Sequence, residues 1–119
     1  MNVIVIEPYT SHYPNPIKFK KGDVVDLGEM DTEYPGWILA KAKDGKEGWA
    51  PVQYFDREEN SNTGVANMDY NAFELSTTMG QKLKVIRELN EWYLLETSEG
   101  QLGWVPTKTV NFGAKKTTI

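Results

Sequence analysis

The chain has 119 residues, a formal net charge of −4, one histidine and no cysteine. That length holds one ordinary domain or two very small ones. The composition excludes disulfides, thiolate metal sites, a thiol nucleophile and a multi-histidine metal cage. An acidic balance also lacks the basic face that nucleic acid or an anionic membrane requires.

No apolar run approaches the length of a membrane span. The start, Met1-Asn2-Val3-Ile4-Val5-Ile6-Glu7, lacks the basic region and long apolar stretch of a secretion signal. The expected setting is the cytoplasm. Aromatic content is 12%, with 4 Trp, 6 Tyr and 4 Phe. Trp and Tyr concentrate at binding surfaces, so this surplus is the first pointer to function.

In chain order, the signals are those of strands. Val3 to Ile6 is a run of β-branched residues, and Val24 to Leu27 follows a Lys21-Gly22-Asp23 turn. Trp37 to Ala42 is aromatic and apolar, and Asp44-Gly45 then marks a hairpin turn. A polar stretch, Arg57 to Thr63, reads as a linker that spans at most about 25 Å when extended. Beyond it, Lys82 to Val85 alternates with period two, and Trp92 to Thr97 ends at a Glu99-Gly100 turn. Nothing longer than about ten residues shows helical spacing with caps.

The chain repeats itself. Gly48-Trp49-Ala50-Pro51 returns as Gly103-Trp104-Val105-Pro106, and Trp37-Ile38-Leu39-Ala40 returns as Trp92-Tyr93-Leu94-Leu95. Lys21-Gly22-Asp23 matches Met79-Gly80-Gln81, and Tyr9 matches Tyr70. The spacing between partners shrinks along the chain at turn-rich stretches, as for two copies of one fold with loops of unequal length. The expected domains are residues 1–56 and 64–112, joined by the linker 57–63 and followed by a frayed tail, 113–119. Five short strands per copy predict an all-β chain of two small five-stranded barrels in tandem.

Both copies resemble Src homology 3 (SH3) domains. Val5-Ile6-Glu7-Pro8-Tyr9 stands where that family has its ALYDY segment, and Ile17-Lys18-Phe19-Lys20-Lys21-Gly22-Asp23 resembles its LSFKKGD segment. Trp37, Gly48-Trp49-Ala50-Pro51 and Tyr54 follow in the family's order. Copy two repeats the order with Ala66-Asn67-Met68-Asp69-Tyr70, Glu74-Leu75-Ser76, Gly80, Trp92 and Gly103-Trp104-Val105-Pro106.

The resemblance implies a non-catalytic module whose aromatic groove takes a proline-containing peptide in the polyproline II conformation. In copy one it implies groove residues Tyr9, Trp37, Trp49, Pro51, Gln53 and Tyr54. In copy two it implies Tyr70, Trp92 and Pro106. Copy one departs at Glu7, where the family has its first Tyr. The loop from Thr10 to Pro16 carries no acid, so Glu29, Asp31 and Glu33, on a long loop before Trp37, are expected to set any preference for a basic ligand. Copy two has Met68 for the first Tyr and Thr109 for the last. The first copy is therefore expected to bind and the second to be weaker, with Phe73 packing against a neighbouring domain.

Alternative readings are an assembly role with both grooves covered, and recognition of cell-wall peptides. No cofactor, metal or catalytic group is expected. His12 reads as a loop residue, Asp23 and Asp26 as turn and strand charges rather than a paired-carboxylate site, and Thr117-Thr118-Ile119 as a chance match to a PDZ-type end. The expected partner is a protein or peptide, with the chain a monomer or weak dimer.

Overall fold

The computed structural model describes residues 1–11, 16–57 and 61–112. His12, most of the segment joining it to Pro16, and the tail with Thr117-Thr118-Ile119 lie outside them. The described residues form twelve strands and two short 3-10 turns, Val52–Tyr54 and Thr107–Thr109. No helix among them is long and apolar enough to cross a membrane.

The first half contains β1 (Asn2–Val5), β2 (Lys18–Phe19), β3 (Val24–Met30), β4 (Trp37–Lys41), β5 (Glu47–Pro51) and β6 (Phe55–Asp56). The second contains β7 (Thr63–Ala66), β8 (Tyr70–Asn71), β9 (Lys82–Leu89), β10 (Trp92–Glu96), β11 (Leu102–Pro106) and β12 (Val110–Asn111). Most alternate between inward and outward residues. Val3 and Val5 are buried in β1, and Val25 and Leu27 in β3, while Asn2, Val24 and Asp26 face out. The hairpin glycines Gly45 and Gly100 adopt φ of +90° and +88°, the left-handed conformation that such tight turns demand.

The all-β class is as expected, with two five-stranded sheets, but the strands are not partnered copy by copy. One sheet runs β5-β4-β3-β7-β6 and the other β11-β10-β9-β1-β12. The first strand of each copy has been exchanged. The chain therefore divides into a contiguous unit, Asn15–Ala72, and a split unit made of Met1–Pro14 with Phe73–Ile119. This differs from the sequential division into 1–56 and 64–112. The stretch 57–63, read as a linker between domains, instead connects β6 to its antiparallel partner β7 inside the contiguous barrel, and Thr63 already belongs to β7.

In the contiguous barrel, Gly64 faces Val25 and Ala66 faces Phe55. In the split barrel, Val3 faces Leu83 and Val5 faces Val110. These are equivalent registers in the two copies. A bulge bends the long strand of each sheet: Gly28 and Glu29 oppose Leu39, and Ile86 is the extra residue opposite Leu94 and Leu95. That bend lets a five-stranded sheet curl over one core. The split core is built from Val3, Val5, Leu75, Leu83, Tyr93, Leu95, Val105 and Val110. Phe73, expected at a domain boundary, is half-buried against this same core. The contiguous core contains Ile17, Phe19, Val25, Leu27, Ile38, Ala40, Ala50 and Ala66.

Candidate functional site

The exchange redistributes the groove residues. Tyr9 lies against Trp92, edge to face, with ring centroids 6.1 Å apart and planes at 84°. Pro106 pairs directly with Trp92 across β10 and β11. Tyr9, Trp92 and Pro106 are each half-buried, so their rings line a surface of the split barrel. Tyr70 joins Trp37, Pro51 and Tyr54 in the contiguous barrel, where Trp37 pairs with Pro51 in the equivalent register.

The two sets differ in exposure. Trp37 and Tyr70 are each 7% exposed and Tyr54 is 5% exposed, with Pro51 fully buried. Stacking accounts for the tyrosines. Phe19 packs on Tyr70 at 5.3 Å and on Phe55 at 5.1 Å, and Tyr54 meets Tyr70 edge-on at 5.6 Å. Such pairs favour a dry, self-packed cluster. In the split barrel the position of Phe19 is taken by Thr77, whose Oγ1 accepts a hydrogen bond from the Tyr9 amide at 3.0 Å. Tyr9 itself is half-buried.

The two equivalent tyrosines also anchor their hydroxyls differently. Tyr9 donates to Glu74 Oε1 at 2.8 Å, and Tyr70 donates to the Trp49 carbonyl at 3.2 Å. Pro16 occupies the position of Glu74 in copy one and offers no side-chain acceptor. Glu74 is buried but for 9% of its surface. Beside it lies a recess of about 440 Å³ lined by Ser11, Ser76, Gln81, Thr97 and Glu99 among others. Two of its hydroxyls brace the loops: Ser76 Oγ accepts from Ser11 N, and Thr97 Oγ1 from Gln101 N.

The acids before Trp37 are not a uniform cluster. Asp31 Oδ1 accepts from the amides of Glu33 at 2.8 Å and Tyr34 at 3.3 Å, so its carboxylate closes the loop as an Asx turn. Glu29 and Glu33 are exposed. Trp49 is 39% exposed on β5, whereas its counterpart Trp104 is buried. Gln53 is exposed, and its carbonyl accepts from Asn67 Nδ2 at 3.2 Å. Among the described residues no group of three or more His, Asp or Glu could hold a metal ion.

Phe19 stacks on the buried Tyr70, whereas Thr77 and Glu74 accept hydrogen bonds from the half-buried Tyr9, and copy-against-copy alignment already places Thr77 at Phe19 and Glu74 at Pro16. Their effect was hidden because each acts on the tyrosine of the other copy.

Residues 3–56 match the family model described as the variant SH3 domain. That match follows sequence order and so runs through the exchanged first strand. The chain is 29% identical over 86 residues to SH3 and PX domain-containing protein 2A of mouse, and equally to that of human. These alignments cover 66% of this chain and 7% of each relative. It is 36% identical over 50 residues to mouse intersectin-1, covering 42% of this chain and 3% of that protein. The chain thus spans under a tenth of each of these relatives. No solved structure matches. Residues 3–56 thus match the SH3 family, and the chain builds two five-stranded sheets of equivalent register.

Proposed function

We propose that the chain is a non-catalytic interaction module that binds an extended, proline-containing peptide on the split barrel, across Tyr9, Trp92 and Pro106. The observation that carries this reading is the half-buried Tyr9–Trp92 pair, edge-to-face at 6.1 Å. Two flat rings set at an angle make slots for proline rings, which bury apolar area without needing backbone donors from the ligand. Glu74, held beside Tyr9, supplies a negative charge that orients a ligand carrying a cation.

The contiguous barrel supports the assembly reading for itself. Its equivalent residues Trp37, Pro51, Tyr54 and Tyr70 are buried, so its aromatic face acts as packing rather than as a peptide slot. This reverses the expectation that copy one is the binding half.

The test is an NMR titration with a panel of proline-rich peptides, read at the four tryptophan indoles. The expected result is a shift at Trp92 and little change at Trp37, with loss of binding in Trp92→Ala and retention in Gln53→Ala. Shifts confined to Trp37 and Trp49, or none with any peptide, would overturn the proposal.

A further inference from the structure

We infer that side-chain size at two equivalent pairs of positions, 3 with 64 and 5 with 66, selects which first strand completes which barrel, and so which tyrosine meets which tryptophan. Backbone hydrogen bonding cannot make this choice, because both strands form the same bonds. Val5 N donates to the Gln81 carbonyl and Gly80 N to the Val5 carbonyl. In the other barrel Ala66 N donates to the Asp23 carbonyl and Gly22 N to the Ala66 carbonyl. Ile6 N bonds to the Thr109 carbonyl as Asn67 N bonds to that of Tyr54. Exchanged and sequential pairings are therefore equal along the ladder.

The side chains are not equal. A Cβ at Gly64 would lie 2.8 Å from Leu27 Cδ1, 3.1 Å from Phe55 Cβ and 3.4 Å from Arg57 Cβ. Val3 in that place would bring this Cβ and two further methyl groups into a filled core. In the split barrel the residues equivalent to Phe19, Leu27 and Phe55 are Thr77, Val85 and Val110. Each is smaller, and Val3 and Val5, 0% and 1% exposed, fill the space. Gly64 and Ala66 in their place would leave a void. Overpacking in one barrel and a cavity in the other both oppose sequential pairing. At these positions the small strand goes where Leu27 and Phe55 stand and the large strand where Val85 and Val110 stand, although elsewhere Leu83, Tyr93, Leu95 and Val105 of the split barrel exceed Val25, Ile38, Ala40 and Ala50 of the contiguous one. Residues 3, 5, 64 and 66 thus act as positioning residues for the aromatic surface, without touching any ligand themselves.

The chain has no cysteine, so engineered disulfides report pairing cleanly. Asn2 and Lys84 are exposed partners in the exchanged sheet, and Val85 N donates to the Met1 carbonyl beside them. That bond makes theirs a non-hydrogen-bonded pair, whose close Cβ atoms suit a disulfide. In sequential pairing Asn2 would instead face Asp26, the present partner of Thr63. In the otherwise unchanged chain, Asn2→Cys with Lys84→Cys is expected to oxidise to near completion, and Asn2→Cys with Asp26→Cys at least tenfold less. Adding Val3→Gly, Val5→Ala, Gly64→Val and Ala66→Val should reverse that preference, as read by peptide mapping.

A size-inverted chain that keeps the Asn2–Lys84 disulfide overturns the inference. Should that chain not fold, a pair cycle decides. Gly64→Ala should lower the melting point of the contiguous barrel, and adding Leu27→Val, which removes the obstructing Cδ1, should recover more than half of the loss. No recovery overturns it. Both measurements are made without peptide, so their outcome is independent of the proposed binding function.

Discussion

Tyr9 and Trp92 meet edge to face at 6.1 Å although one stands near the start of the chain and the other in the last quarter. This half-buried aromatic surface is thus composite: neither half of the sequence holds it alone. Copy two, intact as a sequence from residue 64 onward, lacks the tyrosine that lies against Trp92.

Deleting residues 1–9 should unfold the split barrel and abolish peptide binding, because β1 occupies a central place in its sheet between β9 and β12. The tryptophans report this separately, since Trp92 and Trp104 belong to the split unit and Trp37 and Trp49 to the contiguous one. In an NMR spectrum the first two indole signals should collapse to random-coil positions while the other two stay dispersed.

A fragment of residues 15–72 should fold by itself, and the fragment 1–56 should not. The first holds every strand of one five-stranded sheet, whereas the second lacks β7. Cooperative thermal unfolding of the first, with none in the second, is the outcome to look for by circular dichroism.

Glu91→Gly should stabilise the split barrel by about 0.5–1 kcal/mol. Asn90 and Glu91 turn the chain between β9 and β10 with φ of +50° and +72°. Two residues in that conformation form the hairpin turn that favours Asn-Gly. The equivalent of Glu91 in the other copy is already glycine, Gly36, with φ of +93°. Each turn carbonyl accepts an amide hydrogen, Glu91 from Thr107 N and Gly36 from Val52 N. Chemical denaturation should show a higher midpoint with an unchanged slope.

Asp23→Asn should flatten the acid limb of the stability curve. The carboxyl of Asp23 is held below its ordinary value of 3.8, first by the Lys20 backbone amide and then by Lys43. Lys20 N donates at 3.1 Å and Lys43 Nζ lies at 3.3 Å. A group whose folded pKa is lowered contributes stability above its unfolded pKa and loses it as pH falls through the folded one. The native chain should therefore weaken below pH 3.8 in a way the Asn variant does not. At the alkaline end, burial and then the nearby Glu88 raise the Tyr93 hydroxyl above its usual 10.0. An acid with a raised folded pKa supports the fold below pH 10 and ceases to as pH rises through that value. Tyr93→Phe should remove that alkaline loss. Equilibrium unfolding across pH checks both.

Much of the fold was legible because period-two alternation and turn chemistry are local. Val24 to Leu27, Lys82 to Val85 and the turns at Gly45 and Gly100 lie where they were expected, although β3 and β9 run on past them to Met30 and Leu89. Partner choice was not legible. Alternation decides which face of β1 is buried, and Val3 and Val5 are buried in either pairing. The deciding information is the bulk around Gly64, set by Leu27, Phe55 and Arg57 from distant parts of the chain. The candidate site followed the same pattern. The residue types were readable at Tyr9, Trp92 and Pro106, but their grouping depended on the exchange, which also brings Tyr9 to Glu74 and Thr77.

Because β1 pairs with β12, the split barrel needs both its earliest and its latest strand. During synthesis the contiguous barrel can close once residue 72 has emerged, while β1 must stay unpaired until β9 and β12 follow. A strand that waits with open edges is the part of a nascent chain most exposed to misassembly and to capture by a chaperone. The same topology puts the slowest ring closure in the barrel that carries the half-buried aromatics. The proposed peptide surface therefore forms only after β12 has been made, and loss of either β1 or β12 removes it.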